Sequence, residues 1–250
     1  MHQELIHIYG PFGIHSFGLF IVLGLIIYIS CFMSDFARAK IINAQQFSNV
    51  LSFSIMIALA GGRLLYVMTN PDDVESWWQI FAFWQGGFSL MGAIIALVIA
   101  LPMYFKKNNI PTLPFLDLAA FYAPLLQSIS RIGCFFAGCC FGKSMSIESY
   151  FFGACTHGLH PTQLYSAAAL LGVFLVLCLL RLKIVKRPGQ LACSYLILMS
   201  AERFILDFWR GDQEFLSVYS YFSVAQLASL AIGTLALVGL WYTTFVHRHE

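Results

Sequence analysis

Charge is what this chain has least of. Only 10% of its 250 residues are charged, while 59% are hydrophobic, and the mean hydropathy is +0.77. A soluble domain carries about 25% charged residues. There is too little polar surface here to cover a globule in water, so the bilayer is the expected solvent. The net charge of +2 excludes the dense basic surface that nucleic acid requires, and no nucleic-acid partner is expected. Acidic and basic tails, low-complexity tracts and repeats of fixed period are missing, which excludes a disordered protein and a solenoid. No cleavable leader is expected, since residues 1–11 are polar and His-containing and no small-residue cleavage site follows the first apolar run.

Long apolar runs are present instead. A membrane helix needs roughly 20 mostly apolar residues to cross about 30 Å of hydrocarbon. Such runs fall at about 14–33, 47–68, 88–105, 115–136, 162–180, 189–209 and 223–245. The predicted fold is therefore all-α: a single integral membrane domain over 1–250 with about seven transmembrane helices. Basic residues in short loops set the orientation. Arg38, Lys40, Lys106, Lys107, Arg181, Lys183, Lys186, Arg187 and Arg248 fall on one side under alternate crossing, which makes that side cytoplasmic and the N-terminus external. Trp77, Trp78 and Trp84 lie in a long outer segment, where indole rings suit the headgroup level.

Arg63, Arg131, Lys143, Arg203 and Arg210 lie at the other, outer ends of the runs, where the orientation rule asks for no positive charge. Ionisable groups at membrane depth cost several kcal/mol and usually face a polar cavity or one another. On a continuous helix Arg203, Asp207 and Arg210 share one face at i, i+4 and i+7. With Arg131 and Arg63 they predict an anion site in the outer half of the bundle, and guanidinium forks suit a phosphodiester. His160-Pro161-Thr162-Gln163-Leu164-Tyr165 opens the fifth run. Proline suits a first helical turn, which puts His160 at the cap, with Gln163 and Tyr165 one turn in.

The cysteine count is seven. Cys31, Cys178 and Cys193 sit in apolar runs and read as small buried hydrophobes. Cys134, Cys139, Cys140 and Cys155 crowd a single region with His157 and His160. Three readings stay open: ligation of a soft metal, although C-x4-C-C-x14-C-x-H-x2-H fits no known template; a disulfide of Cys139 or Cys140 with Cys155; and a thiolate nucleophile beside Arg131 or Lys143. Neither a metal nor another cofactor is expected.

Six segments in register over most of the chain resemble the bacterial prolipoprotein diacylglyceryl transferases. They are Ile14-His15-Ser16-Phe17-Gly18-Leu19; Gly61-Gly62-Arg63-Leu64-Leu65-Tyr66; Trp84-Gln85-Gly86-Gly87-Phe88-Ser89-Leu90-Met91-Gly92; 130–142, over the signature Gly-Arg-x-Gly-Asn-Phe-x-Asn-x-Glu-x-x-Gly; the His160–Tyr165 stretch; and 203–212. The resemblance implies a seven-helix enzyme of the bacterial inner membrane. Such an enzyme moves a diacylglyceryl group from phosphatidylglycerol to the lipobox cysteine of a prolipoprotein. It implies catalytic roles for Arg131, Arg203 and His160, and substrate binding by Arg63, Gln163, Tyr165, Asp207, Arg210 and Gly133. Against the family pattern, Met91 stands at a His, Cys134 and Ala137 at Asn, Cys139 at Glu, Phe17 at Tyr, and Asp207 at Glu. The alternatives are a non-catalytic relative that binds phospholipid or lipoprotein, and a thiol-based membrane protein using the cysteine cluster.

Overall fold

The computed structural model describes residues 4–9, 12–71, 87–144, 150–151, 154–155, 159–185, 187–211 and 221–245. The tryptophan segment 77–84, Asp212, His157 and the side chain of Cys155 lie outside the described residues, and with them the proposed disulfide to Cys155. Helices dominate. They are α1 (Ser16–Ser34), α2 (Arg38–Ile41), α3 (Ala44–Thr69), α4 (Leu90–Lys107), α5 (Thr112–Ala137), α6 (Thr162–Lys183), α7 (Gln190–Asp207) and α8 (Val224–Phe245). Each predicted apolar run falls on one of the long helices. The all-α expectation needs a correction: two small antiparallel ribbons are present, β1 (Glu4–Tyr9) with β2 (Phe12–His15), and β3 (Tyr150–Phe151) with β4 (Ala154–Cys155). Short ribbons have too few alternating residues to stand out beside runs of helix length.

Five helices, α1, α3, α4, α6 and α8, are long and apolar enough to cross a membrane. Their outward faces carry Val22, Ile26, Val98, Ile99, Leu175, Leu235 and Val238, all exposed. A water-soluble fold would bury such side chains; a bilayer solvates them. This is a multi-pass membrane protein. The other two long helices are those that carry acidic residues as well as arginine: Asp117 and Arg131 on α5, and Glu202, Arg203 and Asp207 on α7.

The chain forms two compact units. Residues 36–115 make the first, a helical hairpin of α3 and α4. Asn43 starts α3 with a reciprocal cap: its side chain accepts from the Gln46 N–H (2.7 Å), and the Gln46 side chain accepts from its own N–H (3.1 Å). Small residues allow the two helices to touch. A Cβ added to Gly61 would lie 2.3 Å from Ala96 Cβ, and one added to Gly92 would lie 2.4 Å from the Gly61 carbonyl. This is the close backbone approach by which helices associate in lipid.

Residues 1–35 and 116–250 form the second unit. At one end, Asp35, the residue after α1, takes a bidentate ion pair from Arg181 of α6 (2.6 and 2.9 Å) and a hydrogen bond from the Tyr122 hydroxyl (2.8 Å). Beside it Asp117 of α5 accepts the Gly189 and Ala192 N–H groups (2.6 and 2.7 Å). It thus caps the start of α7 from a different helix. Phe121, Val173, Leu177 and Leu191 pack as a core between these contacts. Further along, Ser128 donates to the Ala167 carbonyl (3.0 Å) and Gln127 to the Tyr195 hydroxyl (2.8 Å), so α5 is tied to α6 and α7 by buried polar bonds.

The remote cap predicts a measurable loss. Asp117→Ala strands two amide donors of α7, and a lost cap costs about 1–2 kcal/mol. The thermal midpoint in detergent should fall, with Asp117→Asn intermediate.

Candidate active site

The opposite end of the second unit gathers three chain ends. Helix α5 stops at Ala137. Gly138 and Cys140 then take left-handed backbone angles (φ 75° and 65°) and turn the chain back. Gly138 and Cys139 donate to the carbonyls of Phe135 and Cys134 (3.1 and 3.2 Å), which satisfies the last turn. The chain next runs between the start of α6 and the end of α7. The Gly142 N–H donates to the His160 carbonyl (2.8 Å), the His160 N–H to Lys143 (3.1 Å), and the Lys143 N–H to Trp209 (2.9 Å). Only glycine fits the crossing, since a Cβ on Gly142 would sit 2.3 Å from the Trp209 carbonyl and 2.7 Å from Thr162 Cγ2.

The first turn of α6 pins the loop from the side. Thr162 Oγ1 donates to the Cys140 carbonyl (2.9 Å) and Gln163 Nε2 to the Cys139 carbonyl (2.5 Å). Together these elements enclose a small chamber lined by Arg131, Cys140, Thr162, Gln163, Ser166, Glu202, Arg203, Leu206 and Arg210. Its free volume of about 10 Å³ admits one water-sized group. A larger cavity of about 390 Å³ shares Arg131, Ser166 and Glu202 with it, and adds Ile21, Leu126, Gln127, Ser130, Leu170 and Met199.

Three guanidiniums and one carboxylate line the chamber, an excess of two formal positive charges. Glu202 is engaged, accepting from Ser166 Oγ at 2.5 Å. Arg203 lies 4.0 Å from Asp207, the outer limit of an ion pair. Among the described residues no hydrogen bond or ion pair occupies Arg131, although it is half-buried and faces both cavities. Fixed cations in a dry pocket act far more strongly on an anion than they would in water.

The predicted residues fall as follows. Arg131, Gln163, Arg203, Arg210 and Cys140 line the chamber. Helix α7 ends at Asp207, so Arg210 is not on a continuous helical face with Arg203; a turn through Phe208 and Trp209 brings it in, and it bridges to Gly142. Asp207 Oδ1 lies 4.0 Å from Arg203 Nη2. It is buried against Ser223, whose hydroxyl donates to Oδ2 while capping α8 through the Gln226 N–H (3.1 Å). Gly133 meets α1, where a Cβ would stand 2.7 Å from Phe20 Cβ, so it serves helix packing. His160 and Tyr165 stack loosely on each other (6.2 Å) outside the chamber, and His160 Nδ1 is buried without a partner. Arg63, in the other unit, donates to the Gly87 carbonyl (3.1 Å) and lies over the Tyr66 ring. Met91 is exposed on the first turn of α4. Cys134, Cys139 and Cys140 are free thiols whose sulfurs lie within 4.8 Å of one another. Burial and its two thiol neighbours push the Cys139 thiol up to about 12.

Sequence reasoning missed Glu202, Ser166 and Thr162. Glu202 was legible by the argument that singled out Arg203, being an ionisable residue within an apolar run; the hydroxyls carried no such signal.

The structure is that of a membrane protein with an arginine-lined chamber that shares Arg131, Ser166 and Glu202 with a larger, mostly apolar cavity. The family profile of prolipoprotein diacylglyceryl transferases matches residues 3–242, and the chain belongs to that family. It is 31% identical to the phosphatidylglycerol–prolipoprotein diacylglyceryl transferase of Clostridium tetani, covering 92% of this chain and 93% of the relative. It is 30% identical to that of Gloeobacter violaceus (93% and 90% covered) and 28% identical to that of Thermotoga maritima (92% and 81%).

The crossing at Gly142 can be tested by overpacking. Gly142→Ala should destabilise by about 1–3 kcal/mol. Gly172→Ala, where nothing lies within 4 Å of the new Cβ, should leave the detergent melting curve in place.

Proposed function

We propose that this chain transfers the diacylglyceryl group of phosphatidylglycerol to the thiol of a lipobox cysteine, in a bacterial inner membrane. The observation that supports this most directly is Arg131, a half-buried guanidinium with no ion pair among the described residues, which lines both a positively charged chamber that would attract a phosphate and a larger cavity whose Ile21, Leu126, Leu170 and Met199 suit an apolar chain. We further take α5 and α7 to cross the membrane with the other five helices, giving seven spans in one domain, with the N-terminus outside and the C-terminus cytoplasmic.

The chemistry is alkyl transfer at carbon. The acceptor sulfur attacks the glyceryl carbon that bears the phosphate, the C–O bond breaks, and its electron pair stays on glycerol phosphate. Charge on the phosphate rises during the step, so cations already in position stabilise the transition state more than the ground state. Arg131 and Arg203 fill this role, with Arg210 held against Gly142 as the third cation. Glu202, held by Ser166, offsets one of the three positive charges, and Gln163 tethers the loop that forms the chamber wall.

The test is transfer of labelled diacylglyceryl from phosphatidylglycerol vesicles to a lipobox peptide. Arg131→Ala should lose at least about 100-fold in rate, in keeping with removal of a preorganised donor, and Arg131→Lys should recover part of it. Wild-type rates in Arg131→Ala, or no product from the unmodified protein, would overturn the assignment.

A further inference from the structure

We propose that Cys134, Cys139 and Cys140 form a three-thiolate zinc site with an open fourth position that takes the acceptor thiol. The proposal rests on the transferase reading for its substrate, but not for the site itself.

The geometry fits a compact ion. Zinc binds thiolate at about 2.3 Å with tetrahedral angles, which places neighbouring sulfurs about 3.8 Å apart. The three sulfurs already lie within 4.8 Å of one another, close to that spacing. The fold assembles this trio at a cost. Cys140 adopts a left-handed angle (φ 65°) that a residue with a side chain occupies only against steric resistance. Hydrogen bonds from Gln163 and Thr162 clamp the carbonyls of Cys139 and Cys140 from outside the trio. Such outer contacts fix the orientation of metal ligands. Cys134 is buried at the end of α5 while the other two are exposed, which leaves one face of the trio accessible.

The placement fits the chemistry. Cys140 lines the arginine chamber, so an ion on the trio borders the site of the phosphate. The chamber itself offers little to receive the proton of an incoming thiol. Its described lining is arginines, hydroxyls, one amide, one leucine, Cys140 and a Glu202 already engaged by Ser166. A zinc with three protein ligands and an open position supplies what is missing, because a coordinated thiol is deprotonated. The acceptor R–SH displaces water from zinc and binds as thiolate, its proton leaving with solvent. The sulfur lone pair then forms the C–S bond as the C–O bond breaks toward phosphate. The thioether produced is a weak ligand, and water replaces it. No oxidant or reductant is consumed.

Metal content can be read without turnover. The full-length protein in detergent, stripped and reloaded with zinc or cobalt(II), should hold one ion per chain. The cobalt form should show thiolate-to-metal charge transfer and intense tetrahedral d–d bands. A lipobox peptide with its cysteine should shift the d–d bands, and the same peptide with serine should not. Cys139→Ser and Cys140→Ser should lose the ion, whereas Cys31→Ser keeps it. Gln163→Ala, which only frees a ligand's backbone, should weaken binding by roughly 10-fold or more. Failure of the wild-type chain to retain zinc or cobalt, a cobalt spectrum without thiolate bands, or indifference to the cysteine peptide overturns the proposal. Selective uptake of copper(I) alone overturns it too, because three thiolates saturate that ion. The two readings fail separately. A chain that binds metal and peptide but transfers nothing loses the transferase assignment; one that transfers at full rate after stripping loses the zinc site.

Discussion

Three backbone hydrogen bonds around Gly142 and Lys143 are what the functional end of the molecule depends on. They join the segment after α5 to the residue before α6 and to the turn after α7. Each of these segments contributes polar, charged or thiol groups to the chamber, and none could hold its place alone, since helix ends leave backbone groups unpaired. In a membrane an unpaired backbone group costs several kcal/mol. The junction therefore both satisfies the chain ends and fixes the spacing of Arg131, Arg203 and Arg210. Glycine at 142 is required by the crossing itself, because the Trp209 carbonyl occupies the space of any Cβ.

The far end of the same unit solves the inverse problem. There the charges are neutralised: Asp35 is matched by Arg181 and Tyr122, and Asp117 by two amide donors of α7. Buried ionic groups that are fully paired specify how helices meet, and an unpaired partner is strongly destabilising. Helix α5 thus carries a hydrogen-bonded carboxylate at one end and, at the other, an arginine of the positively charged chamber.

Much of this was legible in the sequence. Apolar runs of membrane length announced the long helices because lipid imposes one length scale on them all. Arg131 and Arg203 stood out because charge inside such a run has few structural uses. The position of Asp207 was legible in part. Helical spacing put it beside Arg203, where one oxygen lies, but α7 stops there and the other oxygen accepts from Ser223 at the head of α8. Where a helix ends depends on tertiary partners that local spacing does not contain. Gly133 was misleading for a related reason: its place in a signature suggested ligand contact, while the close neighbour is Phe20 of α1. The left-handed turn at Cys140 is held by contacts from the start of α6, which local spacing does not contain either.

That turn bears on how the cysteines and arginines act together. A thiol trio on its own favours a cation, and a cluster of guanidiniums on its own repels one. Set side by side they conflict unless the trio is ionised, in which case thiolates and guanidiniums attract. With zinc bound, the trio and an acceptor thiolate hold net negative charge next to the arginines, and the phosphodiester holds more. By the proposed route one unit of negative charge would leave the sulfur and appear on the phosphate, so the total inside the site would be unchanged while its centre shifts within the arginine-lined chamber. Cations already fixed there would need little rearrangement as it moves, which is the condition under which electrostatic preorganisation lowers a barrier. Replacing polar acid–base groups with thiols at the end of α5 is therefore compatible with retained transfer chemistry, because the arginines that carry the charge shift are all in place.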